Sequence, residues 1–231
     1  PYAAKLEWPV GIGTKHVTDA SYPFLIQEKY RAGYFTHYAG EGTVRSAKLK
    51  HNGEEVDLCL CRTKAHFSQE GNTRILTLDP VDIEFYDLTV KLQTIVSFEE
   101  GSSAIKIERK ILEMSDPNAE VELNEYIVAC YGTTEYPEDM TGITLEVSGS
   151  GKSASIDYAY KCREEAIEGG KLATAVIPAI ETKVSLGTDA DDAKAYIREG
   201  YAFSPMFTLG VEKEVSEKEV VTTWLSLAKA N

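Results

Sequence analysis

Arg109 and Glu125 are charged residues in places where the surrounding pattern calls for apolar ones. Ile105, Ile107, Arg109 and Ile111 fall on one face of a strand, and so do Val121, Leu123, Glu125, Ile127, Ala129 and Tyr131 on the next. If a meander sets Ile111 opposite Val121, the two charges become diagonal neighbours, within reach of long side chains. Two readings stand. One is an ion pair at the rim of the core, with the arginine methylenes spread over isoleucine. In the other, the pair lines a sugar-sized cleft, where arginine and carboxylate hold hydroxyls or a uronate carboxylate.

A second cluster is Gly33-Tyr34-Phe35-Thr36-His37-Tyr38. Tyrosine rings stack on the apolar faces of pyranoses, while phenol and imidazole groups hydrogen-bond to hydroxyls. His37 is the first candidate acid or base, and Tyr34 and Tyr38 are candidate sugar contacts. His66, in Arg62-Thr63-Lys64-Ala65-His66-Phe67, has cationic neighbours near a strand end, where sites concentrate. Each histidine also has a plain reading, on the surface or satisfied in the core. The coherent chemistry is proton transfer on a sugar. His37 or His66 exchanges a proton near neutral pH, Glu125 is the complementary base, and Arg109 neutralises developing charge. Tyr34 or Tyr131 would replace histidine in a lyase-like elimination from a uronate.

The elements that position these residues are strands. Leu88, Val90, Leu92, Thr94, Val96 and Phe98 alternate with Thr89, Lys91, Gln93 and Ser97, the period of two of a half-buried strand. Further strands are expected over 104–112, 121–131, 143–147, 154–163, 172–177, 206–211 and 220–227. Glu212 to Glu219 reads as a charged hairpin. Asn52-Gly53 predicts a type I′ turn joining Val44–His51 to Glu55–Arg62. One short helix is expected over 189–199, capped by Thr188 or Asp189 and closed by Gly200.

With 231 residues, 43% of them hydrophobic, the chain is expected to be one β-sandwich domain over 1–231. Its formal net charge of −13 repels phosphate backbones and anionic bilayers, so neither nucleic acid nor membrane is an expected partner. No apolar run reaches the ~18 residues of a membrane span. Cys59 and Cys61 share a face and lack metal or redox spacing. The four cysteines are read as reduced, and a cytoplasmic location follows by default. Gly11-Ile12-Gly13 and Gly149-Ser150-Gly151-Lys152 miss phosphate-loop spacing, and the acidic segment 135–139 reads as solvated rather than as a Ca²⁺ site. No cofactor and no metal is expected. A carbohydrate is the expected ligand, with a second copy or a partner subunit also open.

This order of strands resembles the galactose mutarotase-like β-supersandwich of aldose 1-epimerases, polysaccharide lyase domains and sandwich domains of glycoside hydrolases. The likeness lies in Phe85 to Phe98, in Ile107 to Leu112 with Val121 to Ile127, and in Ser204 to Phe207 with Val215 to Glu219 and Thr222 to Leu227. It implies an all-β, antiparallel supersandwich and a carbohydrate-processing or carbohydrate-binding role. An accessory sandwich domain that contacts a partner protein is the alternative. The epimerase histidine pair and late glutamate have no counterpart in context here, so no catalytic residue carries over.

Overall fold

In the computed structural model, residues 3–6, 24–27, 42–58, 61–130, 142–178, 181–201 and 204–230 are described. Among them there are eighteen β-strands and no α-helix. The first nine are β1 Ala3–Leu6, β2 Phe24–Gln27, β3 Gly42–His51, β4 Glu54–Asp57, β5 Ala65–Glu70, β6 Thr73–Leu78, β7 Val81–Glu84, β8 Thr89–Glu99 and β9 Ala104–Met114. The rest are β10 Val121–Cys130, β11 Thr144–Gly149, β12 Lys152–Asp157, β13 Glu164–Glu168, β14 Leu172–Ile177, β15 Thr182–Thr188, β16 Lys194–Tyr201, β17 Ser204–Val215 and β18 Val220–Lys229.

The strands form two antiparallel sheets. An eight-stranded sheet runs β1-β2-β3-β10-β17-β16-β13, with β4 beside β3. A ten-stranded sheet runs β12-β11-β14-β15-β18-β9-β8-β6-β5, with β7 beside β8. Their inner faces make two main cores. In one, Ile127, Phe207 and Leu209 of the first sheet meet Leu145, Leu186 and Leu225 of the second. In the other, Leu49, Leu123 and Val215 meet Leu92, Ile111 and Val221. The alternation read in β8 is real: Val90, Leu92, Thr94 and Val96 are buried, and the intervening residues are not. Asn52 and Gly53 have φ of 47° and 84°, the left-handed pair that the Asn-Gly turn requires.

Several boundaries differ from expectation. Residues 189–199 do not form a helix, because β16 occupies 194–201 and pairs with both β13 and β17. Helix propensity contributes only tenths of a kcal/mol per residue, too little against two ladders. The apparent N-cap is a local turn, in which the Thr188 hydroxyl accepts from the Ala190 N–H at 3.2 Å. The strand expected to Arg62 ends at Asp57, and the one expected over 154–163 ends at Asp157. Conversely, β17 extends to Val215, through half of the expected charged hairpin. The expected neighbours 104–112 and 121–131 do not pair: β9 and β10 lie in different sheets.

The loop between β12 and β13 is folded around a carboxylate. Glu199, 1% exposed, accepts from the N–H groups of Ala159 at 2.8 Å, Lys161 at 2.9 Å and Arg163 at 3.4 Å. The Arg163 Nε donates to it at 2.7 Å. Tyr160 and Cys162 adopt left-handed φ of 59° and 56°, so alternate amides converge as in an anion-binding nest. The anion is the chain's own side chain. Burial alone would raise the Glu199 pKa, but the Arg163 and backbone hydrogen bonds outweigh it and hold the group below the ordinary carboxylate range. A depressed folded-state pKa gives stability that is present above the unfolded value of about 4.3 and is lost as pH falls through the folded value. We expect Glu199→Gln to lower the thermal midpoint by several degrees at pH 7, and by much less once the pH is far enough below 4 to protonate Glu199. Thermal melts at both pH values check this.

Candidate functional site

Arg109 and Glu125 do meet, but across the sandwich. On β9, Arg109 sits between Thr94 of β8 and Val221 of β18. On β10, Glu125 sits between Ala47 of β3 and Val211 of β17. Arg109 Nε donates to Glu125 Oε1 at 2.5 Å, and its Nη1 donates to the Thr94 hydroxyl at 2.6 Å. Glu125 is 0% exposed and Arg109 7%. The pair is therefore a closed pin between the sheets and does not line an open cleft. Its flank holds a cavity of only about 20 Å³, bounded by Leu58, Cys61, Leu78, Leu92 and Thr94 among others. That is space for about one water. The Cys61 thiol beside it is pushed up in pKa by burial and by Asp57, and stays protonated.

His66 lies elsewhere, on the edge strand β5, largely exposed, with Nε2 at 2.7 Å from Asp79 Oδ1. It is not brought to the Arg109–Glu125 pair as a proton donor. Tyr34, His37, Tyr38 and Tyr131 lie outside the described residues, as does the acidic segment 135–139. Among the described residues, no three His, Cys, Asp or Glu side chains converge as a metal set. No helix there is long and apolar enough to cross a membrane.

A second polar network lies on the other face of β10. If Glu125 looks inward, the strand period turns Glu122, Asn124 and Tyr126 outward. Register puts Asn124 between Lys48 and Glu212, and Gly210 between Tyr126 and Tyr196. Gly210 is required there: a Cβ would stand 2.0 Å from the Tyr196 ring, which lies across the glycine. The Tyr196 hydroxyl donates to Asn124 Oδ1 at 3.1 Å, and Asn124 Nδ2 donates to Glu212 Oε1 at 3.0 Å. Glu212 also takes Lys194 at 3.0 Å and Lys50 at 3.4 Å, while Lys50 reaches Glu122 at 2.7 Å. Burial raises the Tyr196 pKa, which keeps the phenol protonated as a donor.

Lys50 and Glu122 of this network also line a groove of about 340 Å³ around the β3–β4 hairpin. Lys50, His51, Asn52, Glu54, Glu122 and Glu214 are among its lining residues. That volume is at the small end of ligand pockets. His51 is held firmly, with Nδ1 at 2.8 Å from the Glu120 carbonyl. Nε2 lies 3.0 Å from Asn52 Nδ2 and 3.1 Å from Asp87 Oδ1. With Nδ1–H donated to the carbonyl, a neutral ring accepts from Asn52 and a protonated ring donates to Asp87. His51 was not among the residues singled out from sequence. Its signal was the Asn-Gly turn directly after it, which places a strand-end histidine beside a loop.

No family model matches the sequence, and no curated protein matches it. Solved structures do match its backbone. A protein of Synechocystis superposes with a TM-score of 0.55 at 12% identity, over 79% of this chain and 73% of the other. A galactose mutarotase related enzyme from Lactobacillus acidophilus gives 0.52 at 6% identity, over 81% and 83%. The fold is the galactose mutarotase-like supersandwich. The α-N-acetylgalactosaminidase NagBb of Bifidobacterium bifidum gives 0.59 at 11% identity over 84% of this chain, and the chain spans 36% of that enzyme. At these identities the supersandwich is shared as a fold alone.

Removing one partner of a buried ion pair leaves an uncompensated charge and costs about 3–5 kcal/mol, whereas an apolar replacement of both is far milder. We expect Arg109→Met and Glu125→Leu each to be strongly destabilising. The double variant should be more stable than either single one. Urea unfolding of the three variants checks this, and a double variant at the sum of the two singles would refute the pin.

Proposed function

We propose that this protein binds a carbohydrate in the groove at the β3–β4 hairpin. The observation that carries this reading is the groove of about 340 Å³, which shares Lys50 with the Glu212–Asn124–Tyr196 network. Sugar hydroxyls need donors and acceptors held in place, and Lys50, Asn52, Glu122 and the rigid His51 supply both kinds. The cations Lys48, Lys50 and Lys194 already have carboxylate partners. Glu54, Glu55, Glu120 and Glu214 add further negative charge to the groove. A neutral sugar suits this surface, and a uronate or sugar phosphate is repelled by it. The mutarotase-like fold found in the Lactobacillus enzyme and in part of the Bifidobacterium galactosaminidase supports a sugar as ligand.

An isomerase of epimerase type would need a proton donor and an acceptor at the bound ring. Glu122 is the groove carboxylate closest in role to a base, and His51 is the groove imidazole. His37, His66 and Glu125 were the sequence-derived alternatives, but Glu125 is sealed between the sheets and His66 stands apart from it. The second reading is a non-catalytic sandwich module within one domain over 1–231, acting through protein contacts. The closed burial of Arg109 and Glu125 favours it, because that pair does structural work only.

A thermal-shift series with neutral hexoses, uronates and hexose phosphates tests the proposal. A ligand at a hundred times its Kd adds about 2.7 kcal/mol, a shift of several degrees. We expect a neutral sugar to raise the midpoint, and Glu122→Gln or Lys50→Met to abolish the shift while keeping the fold. A shift only with uronates or phosphates would overturn the charge argument. No shift with any sugar would move the function to the module reading.

A further inference from the structure

Strand β5 ends the ten-stranded sheet, and all six of its residues are exposed. An open edge offers a row of unpaired amides, and proteins normally blunt such edges with charge, proline or short length. Three other strands at sheet margins follow that rule. β4 reads Glu-Glu-Val-Asp, β7 reads Val-Asp-Ile-Glu, and β13 carries three glutamates in five residues. β5 reads Ala-His-Phe-Ser-Gln-Glu, with no lysine, proline or bulge inside it.

Its centre is apolar as well. Phe67 pairs with Leu76, Leu76 with Val96, and Val96 with Ile107, a single cross-strand row on the inner face. Burial rises along that row to 1% exposure at Ile107, yet Phe67 at its open end is 63% exposed. The row stops one residue short of a partner.

The backbone selects the partner's register. The Lys64 carbonyl accepts from the Asp79 N–H at 2.8 Å, so even-numbered residues turn their amides toward β6. Ala65, Phe67 and Gln69 therefore turn theirs to the free edge, since the direction alternates along an antiparallel strand. A second β5 placed antiparallel about a two-fold axis must match odd residues to odd residues. The fullest such match puts Phe67 against Phe67, and Ala65 against Gln69 on both sides, for about six new hydrogen bonds. In that register Lys64 of each copy falls opposite Glu70 of the other. Neither residue makes an ion pair within its own chain among the described residues, so both charges are free for this contact.

We propose that two copies of this chain associate through β5, in register about Phe67, to form one continuous sheet. Charge complementarity at both ends and the apolar pair at the axis identify a second copy as the occupant.

Sedimentation analysis of the full chain, a 25.5 kDa monomer, reads the association directly. We expect a dimer at micromolar concentration. Phe67→Pro removes the outward-facing N–H and the ring at the axis, at a position where edge strands tolerate proline, and should yield a folded monomer by circular dichroism. Lys64→Glu should weaken the dimer about tenfold, and Lys64→Glu with Glu70→Lys should restore it. Phe67→Cys should form a covalent dimer on mild oxidation, because a directly opposed pair lies about 5.5 Å apart at Cα, within disulfide reach. Ser68→Cys should not. If Phe67→Pro fails to fold, the charge swap and the crosslink still decide the matter. A wild type that stays monomeric to about 100 µM overturns the proposal. So does a dimer indifferent to Phe67→Pro, or a charge swap that fails to restore association.

Discussion

The Glu125 carboxylate, sealed between two sheets, is the constraint from which much of the rest follows. A carboxylate in that position is tolerable only if a cation and further hydrogen bonds meet it there. Arg109 supplies the cation from the opposite sheet, and Thr94 holds the guanidinium from the neighbouring strand. Three strands are thereby tied in register, because a slip of one residue would turn either charge to the outside. The apolar cores on either side agree with that register, but hydrophobic contact is not directional and would tolerate alternatives that the ion pair forbids.

The same strand separates structure from function. With Glu125 inward, Glu122, Asn124 and Tyr126 must face outward, where β3, β16 and β17 bring Lys48, Tyr196 and Glu212 beside them. Glycine at position 210 lets a tyrosine ring lie flat across β17, and that ring orients Asn124. The outward network is thus assembled from four strands, β3, β10, β16 and β17. Its polar groups satisfy one another on the sheet, and Lys50 and Glu122 carry it to the groove beside the β3–β4 hairpin, the proposed ligand site.

Glu199 shows how far the fold commits its charges to architecture. Its carboxylate fills a nest of backbone amides that would otherwise suit a bound anion. The left-handed residues Tyr160 and Cys162 are held in place by it. Among the described residues, the strongly buried carboxylate and guanidinium groups are Arg109, Glu125 and Glu199, and none of them lines the groove. Conspicuous charge in an apolar pattern marked the framework here, and the ordinary-looking polar positions of the same strands formed the candidate site.

The sequence by itself determined the class and most of the strands. Side-chain alternation in 88–98, 104–112 and 121–130 is local, and the Asn52-Gly53 turn is a property of two residues. Thr188 with three following aspartates and alanines imitated a helix start, because local capping chemistry is the same in a turn as in a helix. The pairing of Arg109 with Glu125 was legible as complementary charge on two apolar faces. Which faces oppose each other was not, since a strand can pass to a neighbour or cross to the second sheet with the same pattern. Only the tertiary structure decided that β9 and β10 belong to different sheets. That choice sealed the pair inside and turned the other face of β10 outward. The reason is that topology depends on how every strand shares the available core, and no single segment carries that information.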